Sequence, residues 1–288
     1  MNIGTTRGEI RDYIRSALVD SSIPKYRTIE AESHMLLNDS GGLYRPLLLI
    51  ATAKGYSVAV KKALPFAAAV EFVHAASLIE DDIMDKSDTR RDKPSCHIQF
   101  GIDIALLAHT HLVQRAYEQI LNPLNRVTNG QRIAIARKAY AVGKGMTLGQ
   151  ERDVTQESLE SKEEIVRMYE KKSGLLIGLA LASGGILGGA CEEDVQALER
   201  MGIKAGVGYQ IIDDALDERA PQSVTGKPRG QDANKKTLLK LVGWEEVKKL
   251  KAESDSEVDR LYGTLHGDQS LLMDLMLHLR HKHDQYLG

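Results

Sequence analysis

Two apolar helical runs in this chain end in the same kind of acidic cluster, and that repetition narrows the possible folds more than any other feature. The first cluster is Leu78-Ile79-Glu80-Asp81-Asp82-Ile83-Met84-Asp85. Asp81 and Asp85 stand four residues apart, so a helix places both carboxylates on one face. The second is Gln210-Ile211-Ile212-Asp213-Asp214-Ala215-Leu216-Asp217, with an Ile two residues before the acid pair and an Asp three residues after it, as in the first. Each cluster is followed by Arg or Lys. Such a pair predicts two carboxylate walls facing one another across a cavity. Without cations the walls would repel and their pKa values would rise. Every candidate ligand is oxygen, which suits Mg2+, an ion that takes one or two carboxylates and completes its shell with water and substrate phosphates. The implied ligand is a diphosphate.

The 288 residues suit one large domain or two small ones, and 42% apolar composition suffices for a sizeable core. A net charge of −2 gives no sign of a nucleic-acid partner or an anionic membrane. Cys96 and Cys191 lack metal or redox spacing and suit a reducing cytosol, and residues 1–20 have no continuous apolar stretch of the kind a signal peptide carries. The most apolar run, Leu175 to Ala190, falls short of the roughly 20 residues needed to span a bilayer. It reads as a core helix with a glycine-rich C-terminal end. The expectation is a cytoplasmic protein without a transmembrane segment.

Helical spacing dominates the rest. Ile10, Ile14, Ala17 and Leu18 form one apolar stripe; further helices are predicted over Leu43–Ala53, Ala63–Asp85, Ile102–Leu121, Gln131–Leu148, Lys162–Leu187 and Asp194–Asp217. Charged loops are predicted over Lys86–Ser95, around Asp153 to Ser161, and over Glu218–Lys235, the last a candidate lid beside the second cluster. Two or three amphipathic helices follow. No alternating strand pattern is visible, so the fold class is all-α, a single helical domain over residues 1–288 of about ten helices.

Basic groups accompany both acid clusters. Arg90 and Arg91 follow the first; Lys227, Arg229, Lys235 and Lys236 follow the second; Lys171, Lys172 and Ser173 head the glycine-rich helix. Guanidinium forks beside metal-binding acids suit phosphate oxygens. His278, His281 and His283 lack Cys or acid partners at ligand spacing and read as a solvated tail.

With these residues in place the chain resembles the trans-isoprenyl diphosphate synthase (polyprenyl synthetase) family, in particular geranylgeranyl diphosphate synthases, over nearly its whole length. Asp81-Asp82-Ile83-Met84-Asp85 with Arg90-Arg91 resembles the first aspartate-rich motif, and Asp213 to Asp217, preceded by Tyr209-Gln210, the second. Lys172-Ser173, Gly149-Gln150 with Asp153, Lys227, and Lys236 with Thr237 match further family positions. The resemblance implies an isoprenoid synthase helical bundle with a central cavity, a homodimer, and Mg2+-dependent head-to-tail condensation of an allylic diphosphate with isopentenyl diphosphate. It implies three ions, with Asp81, Asp82, Asp85, Asp213, Asp214 and Asp217 as metal ligands. The allylic diphosphate falls to Asp82, Arg90, Lys172, Lys227, Asp214 and Lys236, and isopentenyl diphosphate to Arg45, His74 and Arg91. Asp81, Asp85, Asp213, Lys172, Ser173 and Gln210 are the implied catalytic set, the last two as dipoles facing an allylic cation.

Three positions depart from the family pattern. Gly41-Gly42-Leu43-Tyr44-Arg45-Pro46 is one residue short of Gly-Gly-Lys-x-x-Arg-Pro and lacks its lysine. Loss of that ammonium costs about 1.5 to 3 kcal/mol of diphosphate affinity, the scale of one charged hydrogen bond. Asp92 replaces a glycine and places an anion in competition for Arg91, and His109-Thr110 stands where Gly-Asp is common. The allylic side is intact and the acceptor side is thinned. A non-standard acceptor, a terpene cyclase or a non-catalytic subunit are therefore the alternatives, although a cyclase normally lacks the second all-Asp set and a non-catalytic subunit is expected to lose acids from the metal clusters, which this chain keeps. Val73, Ala76 and Ser77, one and two turns before Asp81, carry no aromatic ring, which predicts a C20–C25 product, geranylgeranyl or geranylfarnesyl diphosphate; Phe72 is assigned to core packing on another face.

Overall fold

A computed structural model describes residues 2–18, 26–37, 42–219, 235–281 and 287. The helices are α1 Ile3–Leu18, α2 Arg27–Leu36, α3 Tyr44–Gly55, α4 Val60–Met84, α5 Cys96–Phe100, α6 Ile102–Leu121, α7 Asn129–Thr155, α8 Lys162–Tyr169, α9 Leu175–Gly188, α10 Glu192–Arg219, α11 Leu238–Tyr262 and α12 Ser270–His281. Lys227 and most of the proposed lid lie outside the described residues.

The all-α reading holds, with three local corrections. The first is the loop after α4, which forms a small antiparallel hairpin, β1 Thr89–Arg90 against β2 Lys93–Pro94. Its two turn residues, Arg91 (φ 54°) and Asp92 (φ 60°), are both left-handed, as a two-residue hairpin turn requires, and Asp tolerates this better than most residues. The second is α7, which runs through Thr155, so Asp153 sits on a helix and not in a loop. Third, the single helix expected over Lys162–Leu187 is α8 and α9 joined by one π-helical turn, Glu170–Gly174. Such turns insert an extra residue and recur at functional sites.

Sequence chemistry sets the helix boundaries. Thr128 with Gln131, and Ser161 with Glu164, make reciprocal capping boxes at the starts of α7 and α8. Gly189, at φ 70°, ends α9 in the left-handed cap that glycine adopts without strain. α4 is apolar on nearly every side because it is the core helix. Among the described helices it alone is long and apolar enough to cross a membrane, and two thirds of that window is buried in the bundle. Its buried face packs with α1, α3, α6 and α9 into the main core, which includes Ile10, Leu49, Phe66, Phe72, Ile79, Leu112 and Leu181. A second core, with Leu159, Ile165, Ile211, Leu238 and Val247, ties α8, α10 and α11 together.

Two glycine contacts bring the site-bearing segments close. A Cβ on Gly206 would lie 2.4 Å from the Cα of Gly174, so the π turn and α10 touch backbone to backbone. A Cβ on Gly149 would lie 2.6 Å from the backbone nitrogen of Lys172, which places α7 equally close to the same turn.

Candidate active site

A cavity of about 960 Å3 opens between α4, α6, α7, the π turn and α10, within the upper range of small-molecule sites. Its mouth is acidic on one side. Asp81 and Asp85 from α4 and Asp153 from α7 each present an oxygen, all within 4.8 Å of one another. Two ammonium groups are inserted among them. Lys172 Nζ lies 3.0 Å from Asp81 and 2.5 Å from Asp153, and Lys235 Nζ lies 2.9 Å from both Asp85 and Asp153. Burial works against the charged lysine, yet Asp81 and Asp153 hold the Lys172 pKa above its ordinary value. Gln150 Nε2 donates to Asp81 at 3.0 Å and fixes its rotamer.

The second wall is α10. Asp213 is exposed, Asp217 half-buried, and both line the cavity. Asp214 is buried at 5% exposure, where it accepts from the hydroxyl of Tyr169 and, at 3.4 Å, from Gln210 Nε2. The walls sense one another: Arg90, beside the first, is raised in pKa against its burial by Asp82, Asp81 and also Asp213. Between them Ser173 donates to Gln210 Oε1 at 2.7 Å.

The donor set fits a hard divalent cation. All candidate ligands are carboxylate oxygens, and all three lie within 4.8 Å of one another, close enough to share a small ion that binds oxygen at about 2.0–2.1 Å. The two lysines show that the wall accepts cations as it stands.

Among the described residues most of the implied set lines this cavity and Asp85 joins it through Asp81 and Asp153, but Asp82 and the ammonium of Lys236 are placed otherwise. Asp82 is fully buried and is gripped by the Arg90 guanidinium, with Nε 2.9 Å from Oδ1; it anchors Arg90 and does not line the cavity. Lys236 sends its Nζ 2.7 Å to Glu160, and its neighbour Lys235 enters the acid wall. Asp92 forms no ion pair with Arg91 among the described residues, so the expected competition is absent. Sequence reasoning passed over Asp153 and Gln150 as site residues, although both were visible in the Gly-Gln-x-x-Asp stretch. It named Lys235 only as a basic group accompanying the second cluster and not as a partner of the first, and it missed Tyr169 altogether.

Beside the acid walls lies a basic pole. Arg45 Nη1 donates to His74 Nε2 at 3.2 Å. Burial, then Arg45, Arg91 and Arg90, push the His74 pKa well below 6.5, so its ring is a neutral acceptor there. Burial also lowers the pKa of Arg45. Under them Glu71 is pushed up to about 7 because burial outweighs Arg91 and Arg45. The same cavity includes an apolar passage along α4. Val73, Ala76 and Ser77 of α4 line it, faced by Val113 and Tyr117 of α6 and Met146 of α7. His109 also lines it, its Nδ1 3.3 Å from the carbonyl of Ala76 and its pKa lowered by burial. Phe72 is fully buried outside the passage.

Comparison with known proteins adds the lineage. Residues 26–272 match the family model for polyprenyl synthetase. The geranylgeranyl diphosphate synthase of Methanosarcina mazei is 35% identical over 81% of this chain and 74% of its own length. The farnesyl diphosphate synthase of Bacillus subtilis is 32% identical over 83% of each chain. A solved geranyltranstransferase from Thermotoga maritima superposes with a TM-score of 0.79 over 99% of both chains, at 29% identity. With its helical bundle, its paired acid walls and these relatives, the chain belongs to the polyprenyl synthetase family.

Proposed function

We propose that this enzyme elongates an allylic diphosphate with isopentenyl diphosphate, head to tail, and releases a C20 product. The observation that carries the reading is one cavity with three parts: two carboxylate walls, an apolar passage along α4 and a separate basic pole. Mg2+, held by Asp81, Asp85 and Asp153 on one side and by Asp213 and Asp217 on the other, would neutralise the allylic diphosphate and make it a better leaving group. Three ions match this spread of ligands. The diphosphate displaces Lys172 and Lys235 from the carboxylates, and these ammonium groups, with Arg90, turn to its oxygens.

The C–O bond breaks with its electron pair leaving on diphosphate, and C1 becomes an allylic cation. Ser173 and Gln210 face this region with dipoles of low nucleophilicity, and the apolar passage excludes water that would quench the cation. Isopentenyl diphosphate, its diphosphate at Arg45 and Arg91 and its neighbour His74 neutral, offers its double bond to C1. A C–C bond forms, and the departing diphosphate takes the proton from the acceptor. No protein base is required of this step.

The passage follows α4 from Asp81 to Val73, about 12 Å at 1.5 Å per residue, and neither Phe nor Tyr of that helix lines it. Tyr117 of α6 also lines the cavity. This supports C20 over a shorter product. We further infer a homodimer through α6, whose Ile102, Leu106 and Leu107 are about half exposed on one apolar strip with Ile98 of α5, and a cytoplasmic site of action, where free Cys96 and Cys191 would stay reduced.

The test is incubation with Mg2+, isopentenyl diphosphate and farnesyl diphosphate, followed by chromatography of the dephosphorylated prenols. The reading expects a C20 alcohol that disappears in Asp81→Ala and Asp213→Ala. Release of diphosphate from the primer with no longer prenol would overturn it in favour of another acceptor.

A further inference from the structure

The basic pole holds more cation than the acceptor residues named so far. Arg7 and Arg11 of α1, four residues apart on one helix face, line the same cavity as Arg45, His74 and Arg91. Arg7 is held in place: its Cζ lies 5.4 Å from the centroid of the Tyr44 ring. The Tyr44 ring in turn packs on Gly42, where a Cβ would fall 2.3 Å from the ring. The chain passes from Gly42 to Tyr44 through Leu43 in a left-handed conformation (φ 50°), so this short turn puts an aromatic ring where a longer one has room for a side chain from residue 42.

Two guanidinium nitrogens among the residues that line this cavity, Arg7 Nε and Arg45 Nε, are buried and have no hydrogen-bond partner. A buried donor left unmade is costly, and such groups call for a ligand. Glu71 is the carboxylate within electrostatic reach of Arg45 and Arg91, and it lies beneath them, buried. Arg280, a further cavity-lining cation, is already committed, 3.3 Å from Asp255 and 2.8 Å from Asp259. Lys54 is exposed outside the cavity. An anion with several oxygens is the group that satisfies this arrangement.

We propose that Arg7, with Arg11 one turn on, binds the diphosphate of the isopentenyl acceptor, so that the first helix of the chain completes the acceptor pocket. The inference rests on the acceptor reading above. Tyr44 acts as the positioning residue, holding the Arg7 fork toward the pole. α1 thereby links substrate binding to the core through Ile10 and Ile14, which lie on its buried face.

The test is calorimetric titration of isopentenyl diphosphate, and separately of inorganic pyrophosphate, into the metal-free protein in EDTA, where the carboxylate walls repel the ligand. Arg7→Gln is expected to weaken binding about 10- to 100-fold, the scale of one charged hydrogen bond, and Arg7→Lys by less. With Mg2+ present, KM for isopentenyl diphosphate should rise in parallel while KM for the allylic diphosphate stays within about two-fold. If Arg7→Gln loosens α1, seen as a lowered unfolding midpoint, Arg7→Lys decides, because it keeps the charge and the helix. Unchanged affinity in the folded variants overturns the proposal. A wild type that binds pyrophosphate through Arg7 but elongates nothing would refute the acceptor reading and leave the Arg7 site standing.

Discussion

Glu71 offers the sharpest test of how the basic pole is built. Its carboxyl rises from 4.5 to about 7 on folding, because burial outweighs the attraction of Arg91 and Arg45. An acid whose folded pKa is raised favours the native state while protonated; that stability is complete below the unfolded pKa and is lost as pH climbs through the folded one. At about 1.36 kcal/mol per pH unit, the rise from 4.5 to about 7 corresponds to roughly 3 kcal/mol lost between pH 4 and pH 8. Glu71→Gln keeps the shape and removes the ionisation. Urea unfolding of wild type and variant should therefore give nearly equal stabilities at pH 4 and a variant more stable by about 3 kcal/mol at pH 8. A stability difference that does not change with pH would show that Arg45 and Arg91 offset the cost of burial and leave the carboxyl unshifted, and would refute the argument.

Other perturbations address the remaining parts. Tyr169→Phe removes the hydroxyl that donates to Asp214 and accepts from the buried Leu238 N–H at 3.2 Å; stability should fall by about 2 to 4 kcal/mol in urea titration, and kcat with it. Gly206→Ala sets a Cβ 2.4 Å from Gly174, so it should cost about 1 to 3 kcal/mol in thermal unfolding and separate Ser173 from Gln210, lowering kcat more than it raises KM. Ala76→Phe closes the apolar passage and should shorten the product to C15, whereas His109→Ala opens the same level from α6 and should lengthen it. Prenol chromatography distinguishes these results, and an unchanged product in both variants would place the tail elsewhere.

What could be read in the sequence follows from which interactions are local. Apolar spacing gave α4, α6 and α10 nearly to their ends, and the repeated acid clusters located both walls. The side that each acid faces was not local. Asp81 and Asp82 are adjacent, but successive helical residues point about 100° apart, so one enters the cavity while the other is buried against Arg90. Lys235 and Lys236 likewise part company, but in the non-helical stretch before α11, where no periodicity tells that Lys235 enters the acid wall and Lys236 reaches Glu160. Asp153 seemed to belong to a loop because Glu151-Arg152-Asp153 is polar throughout; tertiary contact with Lys172 and Lys235 keeps that turn helical. Tyr169 has no local signature at all. Its hydroxyl finds Asp214 only because the second core packs α8 against α10.

The central claim is that the two acid walls act together on a diphosphate through divalent ions. Its most direct test is Mn2+ binding followed by electron paramagnetic resonance, with and without the unreactive analogue farnesyl thiolodiphosphate. The account predicts weak Mn2+ retention by the protein alone, where Lys172 and Lys235 occupy the first wall, and tight retention of several ions once the analogue is present. Asp213→Asn and Asp153→Asn should each abolish part of that gain. Retention that is the same with and without the analogue, or indifferent to Asp213, would contradict it.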